Sequence, residues 1–372
     1  MSLFHIDAGK EWRGGQRQSF FLTKALKKRG IPFILAVQPE SPLHQKALEE
    51  ELPVFPIKIK SEFDLFATLR LARVMRRQNC LLAHFHDAHS VSIGSMAASL
   101  AKVPHRVISR RVAFPLKKNY FSRQKYKKKV DMIIAISDEV REVLIDGGID
   151  PERIVVIPSG IDFSPYDRAL SSDYLRRELS FAPDDFLVGI VAHLSDNKGH
   201  QYLIKATEIL KEHADRIKII IVGSGPLFME LSKQAEESGV KDIVFFLGFR
   251  EDVPQILASL DLFVLSSFLE GMGSSILDAM ACRLPVVATK VGGIPEVVRH
   301  GETGLLVPPR SPSALAKAIL RLYDNRELAS RLGQKGYEVV HQEFSAEAMA
   351  DRIILLYEDL GLKKWIKLHE QV

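Results

Sequence analysis

Cysteine is nearly absent. Two thiols in 372 residues, Cys80 and Cys282, cannot build a disulfide framework and fit a reducing compartment. Long apolar runs are missing as well, and none approaches the roughly 18 residues that a membrane-spanning helix needs. The opening MSLFHIDAGKEWRGG has no basic segment leading into an apolar one, so no secretory signal is expected. Low-complexity stretches and short repeats are lacking. So are a GxGxxG dinucleotide fingerprint and a Walker A lysine loop. These absences point to a cytoplasmic protein, at most peripheral on the inner face of a membrane.

What remains is ordinary globular composition, 46% hydrophobic and 26% charged, over a length that accommodates two domains. The net charge of +5 matters because it is clustered. KKNYFSRQKYKKK carries seven cations, Lys117, Lys118, Arg123, Lys125, Lys127, Lys128 and Lys129, with three aromatics and no acid. A solvated helix face is one reading. An interfacial segment touching anionic lipid headgroups is another. Nucleic acid is not expected, because no reading motif accompanies the patch.

Strand-like apolar runs alternate with helix-length amphipathic segments from end to end, the pattern of parallel α/β architecture. SLFHI, PFILAV, LLAHFH, HRVIS, MIIAIS and ERIVVIPSGID are the expected strands of the first half. FLVGIVAHL, KIIIVG, IVFFLG, LFVLSS, PVVAT and GLLV are those of the second. The polar stretch SPYDRALSSDYLRRELSFAPDD between them reads as a linker. Two such halves imply a cleft, with ligands beyond the carboxyl ends of strands.

The loops at those ends hold the candidates. DAGKEWRGGQRQ puts Gly14 and Gly15 just before a helix, where backbone amides can approach a phosphate or a sugar. In HFHDAHS, His84 and His86 share a strand face, and with His89 they raise a metal site that no further ligand cluster supports. Polar cleft-lining by His86 and Asp87 is the preferred reading. SDNKGH offers Lys198 as a diphosphate partner. IVGSGP reads as a tight turn, and FLGFREDV brings Phe249 and Arg250 to a strand end. EGMGSSILD sets Glu270 beside glycines and places Asp278 in the expected first helical turn. Ser275-x-x-Asp278 also has capping-box spacing, so Asp278 has a structural alternative, capping its own helix.

In this order, VIPSGID, SDNKG, IVGSGP, FLGFREDVPQILASLDLFVLSS, LEGMGSSILDAMACRLPVVAT, VGGIPEVV and GETGLLVPP resemble the retaining GT-B enzymes of glycosyltransferase family 4. The resemblance spans the chain and is most specific from Ile157 to Pro309. It implies two Rossmann-like domains facing across a nucleotide-sugar cleft. Residues 1–163 would form the acceptor-side domain, joined by a C-terminal helix at about 350–372, and residues 164–349 the donor domain. The implied activity is sugar transfer from a nucleotide diphosphate sugar to a glycan or lipid-linked acceptor, with the anomeric configuration retained and no metal or other cofactor.

The resemblance also assigns roles. Glu270 and Lys198 would act at the reacting centre, Glu270 on sugar hydroxyls and Lys198 on the diphosphate. Gly14, Gly15, His193, Gly271, Met272, Gly273, Ser274 and Ser275 would surround sugar and phosphates. Gly223, Phe249, Arg250 and Asp278 would hold the nucleoside, with Asp278 on the ribose. Arg110 and Arg111 would join His86 and Asp87 on the acceptor side. Three positions depart from the family pattern. Asp278 replaces the usual Glu and is shorter by ~1.5 Å. His193 replaces a common Arg, so Arg250 or Arg110 would supply the missing charge. Arg110 or Arg111 stands where many members place His. The alternatives to a transferase are a nucleotide-sugar epimerase of the same fold and a non-catalytic membrane or nucleic-acid binding protein. An epimerase would need no acceptor, and a binding protein would explain the basic run but not the ordered cleft loops.

Overall fold

A computed structural model describes residues 1–61, 64–115, 126, 130–167 and 170–370. The basic run Lys117, Lys118, Arg123, Lys125 and Lys127–Lys129 lies outside the described residues. The chain divides into two compact units, Met1–Asp162 with Ala346–Val372, and Phe163–Ser345. Both are α/β with a wholly parallel sheet.

The first unit contains β1 (Ser2–Asp7), β2 (Phe33–Val37), β3 (Val54–Pro56), β4 (Cys80–Phe85), β5 (His105–Arg110), β6 (Met132–Ala135) and β7 (Ile154–Val156). Their order in the sheet is β3-β2-β1-β4-β5-β6-β7. The strands read as nearly continuous apolar runs because helices cover both faces. The C-terminal segment belongs to this unit. Helix Ala346–Tyr357 lies on helix Gly14–Lys28, and its Ile353, Ile354 and Tyr357 join the core. Gly361, at φ 96, breaks the chain before helix Lys363–His369.

The second unit contains β8 (Phe186–Val191), β9 (Ile217–Val222), β10 (Val244–Gly248), β11 (Leu262–Leu265), β12 (Val286–Thr289) and β13 (Leu305–Val307), ordered β10-β9-β8-β11-β12-β13. Each sheet therefore reverses its winding at one place, between β1 and β4 in the first and between β8 and β11 in the second. Loops leave in opposite directions there and open a crevice at the carboxyl ends. The stretch read as a linker is part of the second unit. It carries the short helix Tyr174–Glu178, whose Leu175 is fully buried and whose Arg176 pairs with Asp261 at 2.8 Å. Among the described residues no helix is long and apolar enough to cross a membrane.

Candidate active site

At the second unit's switch point the loops after β8 and β11 are stitched together. Phe268 N donates to Asn197 O at 3.0 Å, Asn197 Nδ2 to Leu269 O at 3.2 Å, and Ser266 Oγ to Lys198 O at 3.2 Å. Gly199, at φ 69, makes this approach possible, since a Cβ there would lie 2.2 Å from Ser266 O. The stitching fixes Lys198 over the second loop, where Nζ donates to Glu270 Oε2 in a largely buried ion pair. Glu270 is held further by Ser267 Oγ and by the amide of Gly271, each at 3.2 Å.

The loop after β12 closes on the same carboxylate's backbone. Gly293 N donates to Gly271 O at 3.1 Å. Gly292 sits at φ 52, and a Cβ on it would meet Glu270 O at 1.8 Å. Only glycine fits, which explains the first of the two glycines in VGGIP. Similar close approaches join the loops after β8, β9 and β10. Gly223 N donates to Gly248 O at 2.8 Å, and a Cβ on Gly223 would lie 2.0 Å from Ala192 O. His193, at the end of β8, is partly buried beside this seam.

Helix Ser274–Ala281 follows, with Gly273 as its N-cap at φ 78 and no side-chain cap. Ser274 and Ser275 are partly buried at its start. Met272 turns its side chain into the core and can offer a ligand only backbone. The capping alternative for Asp278 is not realised. Because glycine takes the left-handed cap, the helix starts before Ser275, no acid falls in its first turn, and Asp278 lies in the second turn. Its carboxylate is buried, and Oδ1 accepts from Tyr166 Oη at 2.7 Å.

Arg250 needs correction as a free cation for a diphosphate. Its guanidinium grips both oxygens of Asp252 at 2.8 and 2.6 Å and both of Glu178 at 2.6 and 2.9 Å. Two carboxylates consume its charge and fork geometry. The Arg250 hydrogen bond, foremost, draws the Asp252 carboxyl down to about 2. Phe249 beside it is exposed at the end of β10.

In the first unit, Gly14 and Gly15 open the helix that follows β1. Asp7, at the end of β1, organises that loop. Its Oδ1 accepts from Gly9 N and Gln16 Nε2, both at 2.9 Å, and its Oδ2 from Ser19 Oγ at 2.8 Å. Burial first, and then the charge of Asp87, raise its pKa. Asp87 does not stand free to line a cleft. It caps helix Ala88–Ala101 in a capping box with Ser90 and accepts from Ala8 N at 2.6 Å. Arg111 lies against Gly15, its Cδ 3.6 Å from where a Cβ would be. Burial lowers its pKa to about 10, opposed by Asp7, and among the described residues Nε has no hydrogen-bond partner. Arg110 instead braces the next segment, bonding Val112 O, Tyr126 Oη and Phe114 O.

The histidines group differently from the set His84, His86 and His89 that the sequence raised and did not favour. His5 and His84 are register partners on β1 and β4, and with His86 they form a buried trio whose ligand atoms lie within 4.8 Å. His86 is therefore interior rather than cleft-lining. His84 already bonds Tyr357 Oη at 2.6 Å and Ser109 Oγ at 2.8 Å, while His5 Nδ1 meets His86 Nε2 at 3.1 Å. Among the described residues one nitrogen each of His5 and His86 has no partner, too few for a three-histidine ion without breaking bonds. Burial pushes His5 down to about 3 and holds His84 and His86 well below the ordinary range.

Asp7, Ser267, Gly292 and Tyr166 were not legible as site residues. Gly292 had a signal in its paired glycines, whereas Tyr166 sits in the stretch that resembled a linker.

A family model described as Glycosyl transferases group 1 matches residues 171–339, and one described as Glycosyltransferase Family 4 matches residues 12–164. The chain is 24% identical over 388 residues to N-acetyl-alpha-D-glucosaminyl L-malate synthase of Bacillus anthracis, across 95% of this chain and 92% of that one. It is 26% identical over 317 residues to UDP-Gal:alpha-D-GlcNAc-diphosphoundecaprenol alpha-1,3-galactosyltransferase of Escherichia coli, across 81% of each. The crystal structure of HepE from Anabaena, in complex with UDP and glucose, shares the fold at a TM-score of 0.86 and 23% identity, covering 96% of this chain and 100% of that one. Two Rossmann-like sheets of matching order and two family matches that together take in most of the sequence lead to one assignment: the chain belongs to the GT-B glycosyltransferases of group 1 and family 4.

Proposed function

We propose that the protein is a retaining glycosyltransferase that moves a sugar from a nucleoside diphosphate sugar to a glycan or lipid-linked acceptor, in synthesis of lipopolysaccharide or another cell-surface glycan. The observation that carries this is the Lys198–Glu270 pair at the switch point, with the uncapped start of helix Ser274–Ala281 beside it. Breaking the sugar–phosphate bond puts negative charge on the diphosphate and positive charge on the anomeric carbon. Lys198 and the helix-end amides of Ser274 and Ser275 would stabilise the leaving group. As the diphosphate takes the ammonium, Glu270 is released to accept from sugar hydroxyls. Asp278 would accept from the ribose, with Phe249 flanking the base. We assign the diphosphate to these groups rather than to a metal ion.

The names of the two relatives support donor and acceptor classes. One acts with UDP-Gal on a diphosphoundecaprenol-linked sugar, and HepE holds UDP and glucose. With a nucleotide-sugar donor and a lipid-presented acceptor, the reaction would run in the cytoplasm at the inner face of the membrane. Thermal-shift measurements with UDP-, GDP-, ADP- and dTDP-sugars test the reading. Stabilisation by one nucleotide class, followed by transfer with retained configuration by NMR, is expected. Isomerised sugar from donor alone would favour an epimerase instead, and no stabilisation by any would overturn the proposal.

A further inference from the structure

Helix Leu65–Arg77 buries Ala67, Thr68, Leu71, Ala72 and Met75 and turns its other face outward. At 100° per residue that outer face is one stripe: Phe66, Leu69, Arg70, Arg73, Arg76 and Arg77. Phe66 is 86% exposed, Leu65 62% and Leu69 51%. Helix Ala88–Ala101 packs alongside and adds exposed Met96 and Leu100. Arg76 joins the two helices through Leu100 O. Neither helix contains an acidic residue. The acids that start them, Asp64 and Asp87, are consumed as N-caps. Large apolar side chains held in water beside arginines, with no acid on either helix, are a costly arrangement for a free surface.

We propose that this face, led by Phe66, Leu69, Arg73 and Arg77, docks the first unit onto an anionic lipid surface. The apolar side chains enter the boundary between headgroups and acyl chains, and the guanidinium groups lie at headgroup phosphates. The charge complementarity decides the partner's sign. The exposed leucines and Met96 beside Phe66 decide for a bilayer over a nucleic acid, whose bases could stack on the ring but would leave the aliphatic side chains in water. The surface lies on first-unit helices whose sequences contain neither the donor-site residues of the second unit nor the basic run Lys117–Lys129. It deepens the reading of a lipid-presented acceptor, and its biological sense rests on that reading, but its test needs no turnover.

The full chain is floated with vesicles of phosphatidylcholine alone and with vesicles that also contain phosphatidylglycerol. Wild type is expected to bind the anionic vesicles and to lose them as salt rises. F66S/L69S and R73Q/R77Q should each weaken that binding roughly tenfold or more, with melting temperature and nucleotide-sugar stabilisation unchanged, since all four side chains lie outside the core. Binding that survives both double variants, or is lost only when Lys117–Lys129 become Gln, overturns the proposal. So does loss in R73Q/R77Q with F66S/L69S unaffected, which marks a purely electrostatic polyanion contact. Absence of wild-type binding to anionic vesicles at low ionic strength overturns it as well.

Discussion

Tyr166 Oη donates to Asp278 Oδ1 at 2.7 Å, and the receiving carboxylate is only 3% exposed. A buried carboxylate has to be satisfied by donors, and the tyrosine supplies one from a segment outside the sheet. The family's longer glutamate would reach further. The aspartate is shorter by ~1.5 Å, and Tyr166 is one of the groups that orient it. Y166F should therefore raise the donor KM by about tenfold with kcat nearly unchanged, the scale of one hydrogen bond to a charged group. D278N should do the same. Initial-rate kinetics with varied donor read both, and an unchanged KM in either variant would remove Asp278 from the ribose.

Gly292 is fixed by space as well as by conformation. At φ 52 with Glu270 O 1.8 Å from the would-be Cβ, G292A must push the site loop away. Gly301, at φ 79 with nothing within 4 Å, isolates the conformational cost alone. G301A should cost about 1 kcal/mol and leave activity intact. G292A should cost several times more and abolish transfer, as urea melts and turnover assays on the two variants would show.

The buried histidines predict acid sensitivity. His5 titrates near 6.5 when unfolded and at about 3 when folded, so the folded state prefers the neutral ring. Its stabilising contribution is complete above pH 6.5 and is lost as pH falls toward 3. Between pH 7 and 5 this one ring should cost about 2 kcal/mol, and His84 and His86 act in the same direction. Chemical denaturation across that range should show stability falling with pH, more gently in H5F.

Arg250 binds Glu178 and Asp252 within the second unit. R250A should therefore lower the melting temperature and leave the donor KM within about twofold. A large KM change without loss of stability would return Arg250 to the diphosphate.

The strands of both sheets were legible because each is an apolar run bounded by turn residues, except β3. VFP is short and ends in proline, so it carries no recognisable pattern. Helix Ala88–Ala101 was equally hidden. It is built largely of Ala, Ser and Gly with little periodicity, and Gly94 is there so that Phe85 can press against the backbone, 2.4 Å from where a Cβ would be. Lys198 and Glu270 were legible from loop order. Their direct pairing was not, because it depends on β8 and β11 being neighbours. Arg250 misled for a related reason: its partner Glu178 lies 72 residues earlier, in the stretch that resembled a linker.

Sugar transfer by E270A tests the central claim most directly. With the donor identified by thermal shift, the folded variant is predicted to transfer no detectable sugar, because the group that pairs with Lys198 and receives the donor's hydroxyls is gone. Wild-type turnover by E270A would contradict the account.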